Sequence, residues 1–201
     1  AHSPESGLVI ILLVLPFSPT MGLVALTSWC ALCWVMKLIS GKRTLKIEPV
    51  DVWIMVFGII YLAGGIISAG RTASFKHSIV FFDFLLGYFM MANLIRTGVW
   101  VKRCAVAIVA GSALVSLYGV YEYLFGLTET IWQDTEMFEN ISGRVVSTFG
   151  NPNVLAEYLL LTIPIALSLV FAAKKGWKKL ASVGVFGVGM ICLALTWSRG
   201  A

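Results

Sequence analysis

The sequence predicts an all-α membrane protein, a polytopic transmembrane helical bundle of about six to seven membrane segments. Three observations carry that prediction. The chain is 59% hydrophobic and only 12% charged, with a mean hydropathy of +0.90, whereas soluble domains carry about 25% charged residues. The charges are segregated, so that 52–70, 104–121 and 180–198 contain no Asp, Glu, Lys or Arg; each comes close to the roughly 20 apolar residues that cross a bilayer core. The basic residues also recur in alternate loops, as orientation in a membrane requires.

Seven apolar segments follow from this pattern: 7–17, 21–39, 52–69, 78–95, 101–124, 153–172 and 180–197. The first is short for a span and reads as truncated, re-entrant or interfacial. Pro16, Ser18 and Pro19 separate it from the second. It lacks a basic leader and an A-x-A-like site, so it is not read as a secretory signal. The chain opens on Ala1, which points to a trimmed N-terminus. Cys30 and Cys33 form a CxxC inside the second segment, where small thiols are expected to pack rather than bind metal or exchange disulfides.

Loop charge sets the orientation. Lys37, Lys42, Arg43 and Lys46 follow the second segment, Arg96, Lys102 and Arg103 the fourth, and Lys174, Lys175, Lys178 and Lys179 the sixth. These loops hold most of the fifteen Lys and Arg and are expected to face the cytoplasm. The intervening loops hold Arg71 and Lys76, then Arg144, then Arg199. The net charge of +5 is thereby spent on orientation and gives no nucleic-acid signature. Residues 1–201 read as a single transmembrane domain with one long outward loop, 125–152. That loop carries Glu129, Asp134, Glu136 and Glu139, and its Ile131, Trp132, Met137 and Phe138 suit either a surface-lying segment or an aromatic anchor.

Small residues mark expected helix contacts: Gly64, Gly65 and Ser68 in the third segment, Ser112, Ser116 and Gly119 in the fifth, Gly184 and Gly187 in the seventh. Ionisable groups within spans are costly and are functional candidates. Asp83 lies one to two turns from the outward end of the fourth segment and is a weak catalytic candidate. Glu122 closes the fifth and Glu157 opens the sixth; both are expected to pair with an arginine or lysine and hold helices in register. His77 marks an outward helix start, and His2 stands in an N-terminal tail, too far away to share a metal site.

The outward loop ends in a distinctive run. Residues 145–149 are β-branched and aromatic and read as extended; Gly150-Asn151-Pro152 is a turn signal. Asn153 is expected to cap the helix that follows. A helix N-terminus favours an anion, and guanidinium forks bind phosphate bidentately. Arg144 before the turn and Arg199 after the last segment therefore suit a lipid diphosphate, although each alone also suits interfacial anchoring.

The run Arg144-Val145-Val146-Ser147-Thr148-Phe149-Gly150-Asn151-Pro152-Asn153, continued by Leu155-Ala156-Glu157-Tyr158-Leu159 and then Thr196-Trp197-Ser198-Arg199-Gly200-Ala201, resembles the O-antigen ligase/polymerase family. The resemblance implies a multi-pass glycosyltransferase of the bacterial inner membrane. Such enzymes move a glycan from undecaprenyl diphosphate to an acceptor at the outer face: lipid A-core, a polysaccharide or a protein. It also implies a metal- and cofactor-free reaction, with Arg199 and Arg144 on the diphosphate and Asn151 and Asn153 in the signature loop. The family continues past this motif into a large periplasmic loop bearing its catalytic histidine, which neither His2 nor His77 matches. The chain, ending at Ala201, is thus expected to be an N-terminal part that does not turn over alone. Two other classes remain open: a transporter of a small anion such as bicarbonate, and a non-catalytic scaffold. A transporter should place its polar and helix-breaking residues near mid-membrane; here Pro164 is the only such proline of the later segments, and the charges gather at the outer edge.

Overall fold

The computed structural model describes residues 3–68, 70–127 and 143–198, and the backbone alone at 71–73 and 76. Among these, the chain forms seven α-helices and no strand: α1 (Pro4–Val14), α2 (Thr20–Ile39), α3 (Pro49–Ile67), α4 (Arg71–Leu94), α5 (Gly98–Leu124), α6 (Pro152–Ala172) and α7 (Gly176–Leu195), with a short 3-10 turn at Ser147–Phe149. Helices α2 to α7 are each long and apolar enough to cross a membrane, which makes this an all-α, multi-pass fold. Their largest side chains point away from the protein: Ile39, Ile67, Phe171, Leu180 and Leu161 are among the most exposed residues. In water this would be untenable; in lipid it is the expected outer surface, with small and polar residues left for helix contacts.

Helix boundaries differ from the apolar segments where charge lies beside a span. Helix α4 starts at Arg71, well before the apolar run. A helix does not stop where the hydrocarbon does, because its backbone bonds are satisfied internally in either medium. His77 is therefore inside α4 rather than at its start, and Asp83 lies near the middle of the helix rather than one to two turns from its end. Likewise α7 takes in Trp177, Lys178 and Lys179. Helix α1 is an 11-residue element, too short to span.

The described chain groups into two compact units, 1–12 with 18–104, and 13–17 with 105–201. In the first unit, α1 packs on α2 and α4 around Leu8, Ile11, Ala31, Trp34, Met90 and Leu94. At its basic end, Arg43 pairs with the buried Glu5. There Arg96 donates to the Thr44 carbonyl at 3.0 Å, and the Lys46 amide donates to Asn93 Oδ1 at 2.8 Å. Helix α3 opens with a reciprocal cap: Glu48 accepts from the first turn, and the Glu48 amide donates to Asp51 at 2.7 Å. Tyr88 of α4 donates to the other Asp51 oxygen at 2.7 Å, tying the two helices.

In the second unit, α5, α6 and α7 enclose Val115, Val145, Leu155, Leu159 and Cys192. The small face of α5 is the contact face: Ser112 and the α6 residue Thr162 share a hydrogen bond of 2.8 Å, and Ser116 and Gly119 are buried. In α7 the expected contact glycines are corrected. A Cβ at Gly184 or Gly187 would meet nothing within 4 Å, whereas one at Gly189 would lie 3.3 Å from Ile163. Gly189 faces α6, and the other two face outward.

Candidate functional site

Three chain ends converge at one end of the second unit: the end of α5, the start of α6 and the end of α7. The segment 143–151 lies among them. Its placement begins with α5, which ends in a left-handed Gly126 (φ 64°); the Gly126 amide donates to Tyr123 and the Leu127 amide to Glu122. This is the Schellman arrangement that glycine permits. Glu122, in that last turn, is 4% exposed. A carboxylate can be buried only if hydrogen-bonded. Here one carboxylate oxygen accepts the Val146 amide at 3.3 Å and the Ser147 amide at 2.8 Å. Glu122 therefore tethers the loop backbone instead of pairing with an arginine, which corrects the expected register role. The sequence missed this because a backbone amide partner leaves no trace in composition.

The tethered segment is not extended as its β-branched run suggested. Val146 is helical in φ and ψ, and Ser147–Phe149 form the 3-10 turn. Ser147 has a positive φ of 49° and lies buried, its hydroxyl donating to the Val115 carbonyl at 2.8 Å. The two amide bonds to Glu122 and the burial of Val145 and Val146 override the β preference. Gly150, at φ 63°, closes the turn, and Asn151 then caps α6 by accepting the Asn153 amide at 2.9 Å. The cap is Asn151, not Asn153, because Pro152 suits the first helical position: it has no amide to satisfy and its φ is already helical.

Freed from capping, Asn153 joins the two motifs. Its Oδ1 accepts from Arg144 Nη2 at 2.9 Å and from the Ser198 hydroxyl at 3.1 Å. Arg144 Nε donates to the carbonyl of Thr196 at 2.8 Å. Thr196 is fully buried and Trp197 has a positive φ of 51°. Among the described residues, the only two non-glycine positive φ values, at Ser147 and Trp197, thus flank one site. Such conformations cost roughly 1–3 kcal/mol each and persist where the surroundings fix them, commonly at functional sites.

The expected site residues therefore divide. Arg144, Asn151 and Asn153 come together, with Thr196 and Ser198 added by the structure. Arg199 lies outside the described residues, as does most of the outward loop with its acidic and aromatic residues. Asp83 belongs to the first unit. Glu157 is exposed one turn into α6. Arg144 has five N–H donors; with two donating to Thr196 and Asn153, three remain for a ligand. The carbonyl oxygens of Asn151 and Asn153 are spent internally, while their amide groups remain available. Among the described residues, no cluster of three or more His, Cys, Asp or Glu could hold a metal ion. The chain matches no family model, no curated protein and no solved structure.

Proposed function

We propose that this chain is the membrane part of a glycan transferase of the O-antigen ligase/polymerase type. It would take a glycan from undecaprenyl diphosphate to an acceptor at the outer face of the bacterial inner membrane. The single observation that carries this reading is the meeting of its two motifs at Asn153. The Arg144 run and the Thr196–Ser198 run, distant in sequence, share one hydrogen-bonded knot beside the start of α6. The helix start supplies unpaired amides and a positive dipole end, and Arg144 supplies a fixed cation with donors to spare.

In the proposed step, an acceptor hydroxyl attacks the anomeric carbon, and the bond to the diphosphate oxygen breaks with its electron pair. The hydroxyl proton passes to a base, and no described residue is assigned that part. Negative charge grows on the leaving diphosphate, so a cation fixed beforehand stabilises the transition state more than the ground state. The rigid turn tethered by Glu122 is what would keep Arg144 fixed. The test is made in cells lacking their own copy, complemented with the whole gene carrying Arg144→Ala or Arg199→Ala. Carrier-linked glycan should accumulate and surface glycan disappear at normal protein level. Unchanged surface glycan in both variants would contradict the proposal and favour a scaffold or transporter.

A further inference from the structure

The first unit holds a pocket that the Arg144 site does not explain. It lies between the end of α3 and the start of α4, opposite the basic end marked by Arg43 and Arg96. Its volume is about 370 Å³, and Tyr61, Gly64, Gly65, Ser68, Ser74, His77 and Ser78 line it. That is small but within the range of small-molecule sites, about 300–1,000 Å³.

Helix packing accounts for only one of its two glycines. A Cβ on Gly65 would sit 2.4 Å from Ser78 Oγ, so Gly65 lets α3 and α4 touch. A Cβ on Gly64 would meet nothing within 4 Å. Gly64 does not close a contact; it leaves space. Tyr61, Gly64 and Ser68 share one face of α3, and Ser74, His77 and Ser78 share one face of α4, by helical spacing.

The lining is rich in groups that both donate and accept. Ser74 donates to Ser68 Oγ at 2.9 Å, and Ser78 donates to the Ser74 carbonyl at 2.9 Å. The Ser68 hydroxyl proton and the acceptor capacity of Ser78 are left over. Among the described residues, neither the Tyr61 hydroxyl nor the His77 imidazole has a hydrogen-bond partner. Tyr61 is stacked on Phe81 with centroids 4.2 Å apart, which holds its ring as a fixed wall. No carboxylate or ammonium is part of this lining, so a charged ligand would find no fixed counter-charge in it. A neutral ligand with several hydroxyls and an apolar face, such as a pyranose, would match it.

We propose that this pocket is a binding site for a neutral sugar unit, separate from the Arg144 site and independent of the transferase reading. The test uses the full chain in lipid nanodiscs, with methyl β-glucopyranoside and N-acetylglucosamine as probes in saturation-transfer NMR. Transfer to at least one probe is expected. It should vanish in Gly64→Leu, which fills the space without a clash, and persist in Gly64→Ala. Tyr61→Phe, losing one hydrogen bond, should weaken binding about five- to tenfold. Arg144→Ala should leave it unchanged. Absence of transfer to both probes, transfer unaffected by Gly64→Leu, or displacement of the sugar by equimolar inorganic phosphate would each overturn the proposal, the last in favour of an anion site.

Discussion

Glu122 is the residue on which the geometry of the candidate site depends most. Its carboxylate takes two backbone amides of the 143–151 segment, at 3.3 and 2.8 Å, inside a buried environment. Hydrogen bonds to a charged group contribute about 1.5–3 kcal/mol each. Since one of these two is long, the pair is placed at the lower end, about 3 kcal/mol in total. Glu122→Ala should therefore shift the local opening of this segment by that amount. The reporter is already in place: Cys192 is fully buried, and Val145 of the same segment shares its core. With Cys30, Cys33 and Cys104 replaced by alanine, the rate at which N-ethylmaleimide alkylates Cys192 measures how often the segment lifts. At ~1.4 kcal/mol per factor of ten, Glu122→Ala should raise that rate about a hundredfold. Glu122→Gln retains a neutral acceptor with about half the strength, so it should raise the rate about tenfold. Unchanged alkylation in both variants would refute the reasoning, because the tether would then not be holding the segment down.

Three further outcomes follow from packing and capping. Gly119→Ala would place a Cβ 2.8 Å from both Cys192 Sγ and Val145 Cγ1; thermal unfolding in detergent should register a loss of about 1–3 kcal/mol, partly recovered by Cys192→Ala. Asn151→Ala removes the cap of α6 and should cost about 1 kcal/mol, whereas Asn151→Ser should cost little, read as the difference in melting temperature. In the first unit, Asp51→Ala and Tyr88→Phe remove the two ends of one hydrogen bond; a double-mutant cycle should show coupling of about 0.5–2 kcal/mol between them, and additivity would mean that the bond contributes nothing.

The fold was legible because the membrane imposes few solutions. Charge-free stretches marked six spans within a few residues of where the helices run, and alternating loop charge matched the way that, in each unit, successive helix ends meet. What the sequence hid was local. The extended reading of 145–149 followed side-chain preference and failed because Glu122 supplies backbone acceptors from α5. Asn153 looked like the cap because it precedes an apolar run; Pro152 moved the cap back by two residues and left Asn153 to bridge Arg144 and Ser198. Gly184 and Gly187 resembled a contact stripe, but periodicity alone does not say which stripe faces a neighbour, and the face bearing Gly189 is the one that does. Asp83 was placed near a span end because hydropathy reports the hydrocarbon boundary rather than the helix start. Arg144 itself was found from its residue type and its place beside a turn, and its partners could be found only in three dimensions.

The central claim, that the Arg144 turn grips a diphosphate, is tested most directly by native mass spectrometry of the chain in nanodiscs. Occupancy by undecaprenyl diphosphate would be compared in wild type, Arg144→Lys and Arg144→Ala, with Cys192 protection confirming that the turn is intact. Losing a charge-assisted bond should weaken binding roughly ten- to a hundredfold in Arg144→Ala. Arg144→Lys should fall between the two, since lysine keeps the charge without the fork. Equal occupancy in all three proteins would contradict the claim and leave Arg144 as a structural tie between α6 and α7.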